Sequence, residues 1–159
     1  MPAILRLTGL ALIVCWLVVL VSRLAGVEVA FLAAGRHFQV GLVLVMAVLF
    51  VEVLPYFLLV GTSARLKALD SRSGEAIRRL NHVIGLKAGL LGGTIASILV
   101  TLALPVLGFL ESGARVPRHS HLVAAIVVLV VFARHWARSL FALRMAGDLC
   151  ELQFDGEAG

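Results

Sequence analysis

Residues 84–110 read IGLKAGLLGGTIASILVTLALPVLGFL, a stretch that is apolar apart from one lysine and three hydroxyl side chains. A transmembrane helix needs about 20 mainly apolar residues to cross roughly 30 Å of hydrocarbon. This stretch meets that requirement, and so do three other parts of the chain. The four predicted spans cover about 7–24, 38–62, 84–110 and 122–143.

The composition of the whole chain indicates the same class of protein. Of its 159 residues, 61% are hydrophobic and 14% are charged, against roughly 45–50% and 25% in an ordinary soluble domain. A soluble core of this size could not bury so much apolar surface. We therefore predict an all-α, polytopic membrane protein, with a four-helix transmembrane bundle over 1–146 and an acidic cytoplasmic tail over 147–159.

The distribution of basic residues predicts the orientation in the membrane. Short cytoplasmic loops retain Lys and Arg, and the densest basic cluster lies around the connection between the second and third spans: Arg65, Lys67, Arg72, Arg78, Arg79 and Lys87. We therefore expect this connection and both termini to be cytoplasmic, in a bacterial inner membrane. Basic residues at the membrane edge are expected to contact anionic lipid headgroups. No basic surface interleaved with aromatic residues indicates nucleic-acid binding.

The second and third helices are expected to extend beyond the bilayer as a cytoplasmic helical hairpin. Residues 63–69 continue a helix-compatible pattern, and strong helix breakers come only at 70–74, where Ser73 is the expected N-cap. The tail carries Asp148, Glu151, Asp155 and Glu157 and no basic residue. Such a segment should be disordered in isolation.

Small residues recur every four positions along the third span, at Gly85, Gly89, Gly93 and Ser97. Stripes of small residues allow helices to approach closely in a membrane, so we expect this face to pack against other helices, within one bundle or between copies. A pore lined by the stripe is the alternative. Pro105 should kink the same helix, and the Thr101 hydroxyl is expected to bond the carbonyl that the proline leaves free.

Two ionisable residues lie deep within the predicted spans. Glu52 and Arg134 are each about thirteen or fourteen residues into spans that run in the same direction, so their depths should match. Such residues usually face a partner or a cavity. We expect a Glu52–Arg134 ion pair. The alternatives are a proton- or ion-handling carboxylate tuned by Arg134 and His135, and contact between Glu52 and a partner subunit.

The histidines suggest a cofactor. His121 and His135 are fourteen residues apart, which leaves only about 40° between them around a helix. This spacing resembles the paired haem-ligand histidines of the cytochrome b family, where a four-helix bundle holds two haems between its second and fourth helices. The resemblance implies His121 and His135 as ligands on the fourth helix and His37 as the outer partner on the second, while Val51 occupies the position of the remaining ligand. Alternatively, His37, His119 and His121 could bind a metal ion or contact quinone, or simply bond water, backbone and headgroups.

No motif of a zinc protease, serine hydrolase, P-loop enzyme or dithiol oxidoreductase occurs. The sequence therefore favours a small non-catalytic integral subunit of a larger membrane complex, respiratory or transport, with other integral membrane subunits as its partners. Two alternatives remain open. One is a redox subunit that carries haem b or contacts quinone, and the other is a homo-oligomeric ion or proton channel or carrier that uses Glu52 and Arg134.

Overall fold

The computed structural model describes residues 2–25, 37–69, 74–117 and 119–157. Within these ranges the chain forms no strand and four α-helices: α1 (Pro2–Ala25), α2 (His37–Leu69), α3 (Gly74–Ser112) and α4 (Ser120–Glu157). Each helix contains a segment that is long and apolar enough to cross a membrane. The predicted all-helical chain with four helices of membrane-spanning length is therefore confirmed.

The end of α2 agrees with the prediction from the sequence, and the end of α4 does not. α2 continues through 63–69 as predicted, and α3 begins at Gly74. The expected N-cap, Ser73, lies outside the described residues. α4 continues without interruption to Glu157, where the acidic composition predicts disorder. Leu149 packs against a buried cluster at this end of the bundle, so part of the acidic segment is held by tertiary contact.

Three of the helices are longer than a bilayer requires. At 1.5 Å per residue, the 33, 39 and 38 residues of α2, α3 and α4 extend about 50–58 Å, against roughly 30 Å of hydrocarbon. We call the end of the bundle at which α2 ends, α3 begins and α4 ends the hairpin end. The 24 residues of α1 extend about 36 Å and leave little surplus.

α3 lies between α2 and α4, while α1 packs mainly on α4. The buried apolar side chains form two clusters. The first contains Leu5, Trp16, Val45, Val48, Val51, Leu104, Val128, Phe132 and Trp136. The second, toward the hairpin end, contains Leu59, Leu66, Val83, Leu90, Ala142 and Ala146.

One close contact determines how α1 sits on α4. The backbone of Gly9 lies against the indole of Trp136, so closely that a Cβ on Gly9 would overlap the ring. Trp136 is itself buried and stacks on Phe132, with ring centroids 6.2 Å apart. Because the indole is held from its other side, it has little freedom to make room for a larger residue on α1.

The connection between α3 and α4 is closed by a carboxylate. Glu111 accepts hydrogen bonds from the backbone N–H groups of His119 (3.0 Å) and His121 (2.8 Å). The first N–H groups of a helix have no acceptor within the helix, and a negative charge is favourable there. The turn uses a positive φ at Ala114 (53°) and at His119 (74°). No motif in the sequence marks Glu111 for this role.

We predict that Gly9→Ala lowers the melting temperature of the purified protein in detergent, because the added methyl group must displace Trp136 or α1. Overpacking of this kind costs about 1–3 kcal/mol of unfolding free energy. Gly41→Ala is the matched control, since a Cβ there meets nothing within 4 Å, and it should melt at the same temperature as the wild type or higher. Equal melting temperatures for the two variants would contradict this account of α1.

Candidate functional site

Six polar side chains are buried among the described residues: Glu52, Thr94, Ser97, Thr101, His135 and Ser139. They come from α2, α3 and α4, and on each helix they lie at the boundary between the two apolar clusters. We call this set the polar layer. Its members lie within the membrane-spanning segments, where every polar group must find its partner inside the protein.

α3 contributes half of the polar layer because of its residue spacing. Thr94, Ser97 and Thr101 follow one another at intervals of three and four residues, which places them on one helix face. The same face continues through buried Leu90 and Leu104. This side of α3 therefore presents hydroxyl groups to both α2 and α4.

Glu52 is held by one of these hydroxyl groups. Its side chain is only 1% exposed, and the Ser97 hydroxyl donates a hydrogen bond to Oε1. No described residue provides a hydrogen-bond partner for Oε2. An incompletely bonded carboxyl group in apolar surroundings is energetically costly, more so if it is charged.

His135 is held by α3 and by its own helix. Its Nε2 lies 3.2 Å from Thr94 Oγ1 and 3.5 Å from Ser139 Oγ. The Thr94 hydroxyl donates its single hydrogen to the carbonyl oxygen of Leu90 (3.1 Å), so it accepts from His135, and Nε2 carries the hydrogen. On the other edge of the ring, a Cβ on Gly93 would lie 3.0 Å from Nδ1. Gly93 therefore makes room for the imidazole.

The structure does not bring Glu52 and Arg134 together. Arg134 is exposed, and no ion pair joins it to Glu52 in the described part of the chain. The depths do correspond, since Glu52 contacts Ser97 while His135, next to Arg134, contacts Thr94 one turn away. The difference lies in rotation about α4, because successive helix residues are about 100° apart. His135 faces inward, and Arg134 faces the outside of the bundle.

The predicted stripe of small residues divides into two parts. Ser97 is buried, and Gly93, although exposed on one side, lies against His135. Gly85 and Gly89 are exposed, and a Cβ on either would meet nothing within 4 Å. These two glycines line an open groove of about 460 Å³ between α3 and α4, together with Asn81, His82, Arg138 and Phe141. We call it the α3/α4 groove. The expected packing within the bundle thus occurs only at the inner half of the stripe.

The expected role of Thr101 is not observed. Its hydroxyl group is buried and has no hydrogen-bond partner among the described residues. The carbonyl that Pro105 leaves without a donor is that of Thr101 itself. A threonine hydroxyl in a helix reaches the carbonyl one turn before it, as Thr62 reaches Leu58 and Thr94 reaches Leu90. The helical geometry therefore prevents Thr101 from satisfying its own carbonyl.

The two histidines of α4 share a face as predicted, and both contact α3. Nδ1 of His121 donates to the carbonyl oxygen of Leu104 (3.1 Å), and a Cβ on Gly108 would lie 3.0 Å from this nitrogen. His121 thus packs on Gly108 as His135 packs on Gly93. The cytochrome b resemblance requires these imidazoles to face a cofactor between α2 and α4, whereas their observed partners belong to α3.

The cofactor and metal sites remain predictions. His37 begins α2, but its side chain lies outside the described residues. His119 is exposed, and its backbone N–H bonds Glu111. Among the side chains that the structure describes, no three His, Cys, Asp or Glu residues come together as a metal site. The contacts of His121 and His135 are explained by packing on α3.

We predict opposite effects for two hydroxyl deletions in the polar layer. Ser97→Ala removes the observed hydrogen-bond partner of Glu52 and should lower stability by about 1–3 kcal/mol, the cost of a buried polar group left unsatisfied. Thr101→Val removes a hydroxyl that has no partner and should be neutral or stabilising. Thermal unfolding of both variants in the same detergent measures the difference. A Thr101→Val protein less stable than Ser97→Ala would contradict the assigned bonding.

Three features of the described residues require a functional explanation: the polar layer, the α3/α4 groove and the outward-facing Arg134. The first lies inside the bundle, and the other two lie on its surface. Their interpretation rests on the chemistry and position of these side chains. No protein-family model, curated protein or solved structure matches this chain.

Proposed function

We propose that this protein is a small, non-catalytic integral subunit of a larger membrane protein complex, and that it binds a transmembrane helix of another subunit on the outer face of α3 and α4. The exposed position of Arg134 carries the proposal. A charged side chain in the hydrocarbon region is costly, and such residues usually face a protein partner or a cavity. A partner helix with a carboxylate at the same depth would satisfy it.

The depth of Arg134 supports this argument. It lies fourteen residues after the start of α4 at Ser120, about 21 Å along the helix. Its neighbour His135 belongs to the polar layer, between the two apolar clusters. Arg138, one turn further, is nearer the membrane edge, where its long side chain can reach the headgroups. Arg134 is the deeper of the two, so headgroup contact explains it less well.

The α3/α4 groove provides space for a helix beside these charges. Gly85 and Gly89 expose the backbone of α3 along one wall of the groove. Arg138 and Phe141, which lie on the same face of α4 as Arg134, form part of the other wall. Helices in a membrane associate through close packing, which small residues permit, and through polar contacts. The groove and the arginines together offer both kinds of interaction on one surface.

The partner is a different protein rather than a second copy of this chain. A second copy would have to supply a carboxylate to Arg134 within the membrane. Glu52, the carboxylate nearest in depth among the described side chains, is 1% exposed and lies inside the bundle. Glu111 lies at the opposite end from the hairpin and is occupied as a helix cap. The burial of Glu52 also argues against a pore that Glu52 and Arg134 line together.

We further propose that the hairpin end and both termini lie in the cytoplasm, in a bacterial inner membrane. Exposed basic residues gather toward this end, among them Arg65, Lys67, Arg138 and Arg144, and cytoplasmic segments retain Lys and Arg. The surplus length of α2, α3 and α4 would then project into the cytoplasm as a helical extension. Its basic side chains would attract anionic headgroups.

Gly89→Leu should release the subunit from its complex, because the larger side chain fills the α3/α4 groove. Native mass measurement after mild extraction from the source membrane should give a complex for the wild type and the free 17.0 kDa chain for the variant. Gly61→Leu is the matched control: it is also exposed with nothing within 4 Å, but lies on α2. It should remain in the complex. A wild-type protein without a partner, or a Gly89→Leu protein that keeps one, would overturn the proposal.

Arg134→Met should weaken the same association by about a hundredfold or more, since it leaves a buried carboxylate of the partner unpaired. The melting temperature of the isolated subunit should not change, because Arg134 is exposed. A photo-crosslinking residue at Val130, on the exposed side of α4, should label an apolar peptide of the partner that contains Asp or Glu. The same residue at exposed Phe50 on α2 should not. Crosslinks only to this chain itself would contradict a partner of different sequence.

A further inference from the structure

Docking on the outer face of α3 and α4 leaves the burial of Glu52 unexplained. The described groups around it provide no compensating positive charge. On its own helix, Tyr56 follows one turn later; α3 provides Ser97; and α4 provides buried His135, while its Arg134 is exposed. The described titratable side chains of α1, Arg6 and Cys15, are exposed. Glu52 is therefore a buried acid with one neutral hydrogen-bond donor.

A carboxylate in these surroundings would keep its full charge in an apolar medium with only Ser97 to stabilise it. Burial of an unpaired charge is far more costly than burial of a neutral polar group. A proton on Oε2, the oxygen that lacks a partner, neutralises the group. The ligand that best suits the observed environment is therefore a proton.

Polar groups extend from Glu52 toward the hairpin end. Ser97 and Thr94 are one turn apart on the inner face of α3, about 4.5 Å along the axis. Thr94 is bonded to His135 Nε2 at 3.2 Å. The opposite nitrogen, Nδ1, lies against Gly93, which is exposed and continues the line of Gly85 and Gly89 from the α3/α4 groove. Hydroxyl and imidazole groups can each donate and accept hydrogen bonds.

We propose that Glu52 is an exchangeable proton-binding site within the membrane, and that Ser97, Thr94 and His135 connect it to the exposed edge of α3 at Gly93. In the uptake step, a hydronium ion that reaches His135 beside Gly93 gives its proton to Nδ1 and becomes water. The imidazole gives its Nε2 proton to the Thr94 hydroxyl, which releases its own proton toward Ser97. Ser97 in turn gives its hydroxyl proton to Oε1 of Glu52, and rotation of the resulting neutral carboxyl group brings the other oxygen to the Ser97 hydroxyl. Release reverses these steps, so no other reactant is consumed.

The first test is labelling with dicyclohexylcarbodiimide, a hydrophobic reagent that modifies protonated carboxyl groups. The full chain in liposomes should be modified on Glu52 at neutral pH, with the yield falling as the pH is raised. Glu52→Gln should abolish the adduct. Glu111 serves as an internal control, because a carboxylate that accepts two backbone hydrogen bonds should stay unmodified. Absence of the Glu52 adduct would overturn the proposal. Protection by sodium at constant pH and ionic strength would also overturn it, since it would identify a cation site.

The second test measures exchange of the bound proton by infrared difference spectroscopy in D₂O. The wild type should show the carbonyl band of a protonated carboxyl group, absent in Glu52→Gln and shifted in Ser97→Ala, which retains the acid. Thr94→Val and His135→Gln should slow the exchange of this band about fivefold or more, the factor that one hydrogen bond contributes. Thr62→Val, which deletes a comparable hydroxyl outside the polar layer, should not. A band that never exchanges, or one that exchanges at the wild-type rate in both variants, would overturn the connection.

Discussion

Within hydrocarbon, a buried polar group has no water to bond, so its partner must come from the protein. The contact between Ser97 of α3 and Glu52 of α2 is the interaction on which the arrangement of this bundle depends. Thr94 makes the corresponding contact with His135 of α4. Because lipid solvates apolar side chains as well as a protein core does, burial alone favours no particular rotation of a helix, and close packing and hydrogen bonds decide it. These two polar contacts orient α2 and α4 relative to α3.

α3 combines two surfaces of different chemistry. Its inner face carries the hydroxyl groups of the polar layer, and glycines at positions 93 and 108 leave space for the imidazoles of α4. Its outer face toward the hairpin end carries Gly85 and Gly89 with nothing against them. Glycine therefore has two roles in α3. It permits tight packing within the bundle, and it leaves an open groove on the surface.

The number of helices could be predicted from the sequence because a span exposed to lipid is apolar over its whole length. The inward faces could not, because hydropathy distinguishes lipid from water and not lipid from a protein core. Similar depth does not make Glu52 and Arg134 face each other, because one residue of rotation separates the exposed Arg134 from the buried His135. The better signal was the interval pattern of Thr94, Ser97 and Thr101 beside Leu90 and Leu104.

Other parts of the site leave weaker traces in the sequence. The fourteen-residue interval between His121 and His135 is nearly matched by the fifteen-residue interval between Gly93 and Gly108, and the structure pairs these residues across α3 and α4. The histidine spacing is therefore explained equally well by packing of α4 on α3 and by ligation of a cofactor. Glu111 has no such pattern, since its role depends on a turn with positive φ angles. For this reason, the sequence alone does not predict whether a single carboxylate near the end of a span caps a helix.

The bonds from His119 and His121 to Glu111 also bear on how the chain enters the bilayer. They satisfy backbone groups at the tip of the α3–α4 hairpin with a residue of the hairpin itself. The tip can therefore form before α1 or α2 has taken its place. The α3–α4 hairpin thus carries the partners of its own turn, and its two helices can enter a membrane as one unit with the Glu111 carboxylate already bonded.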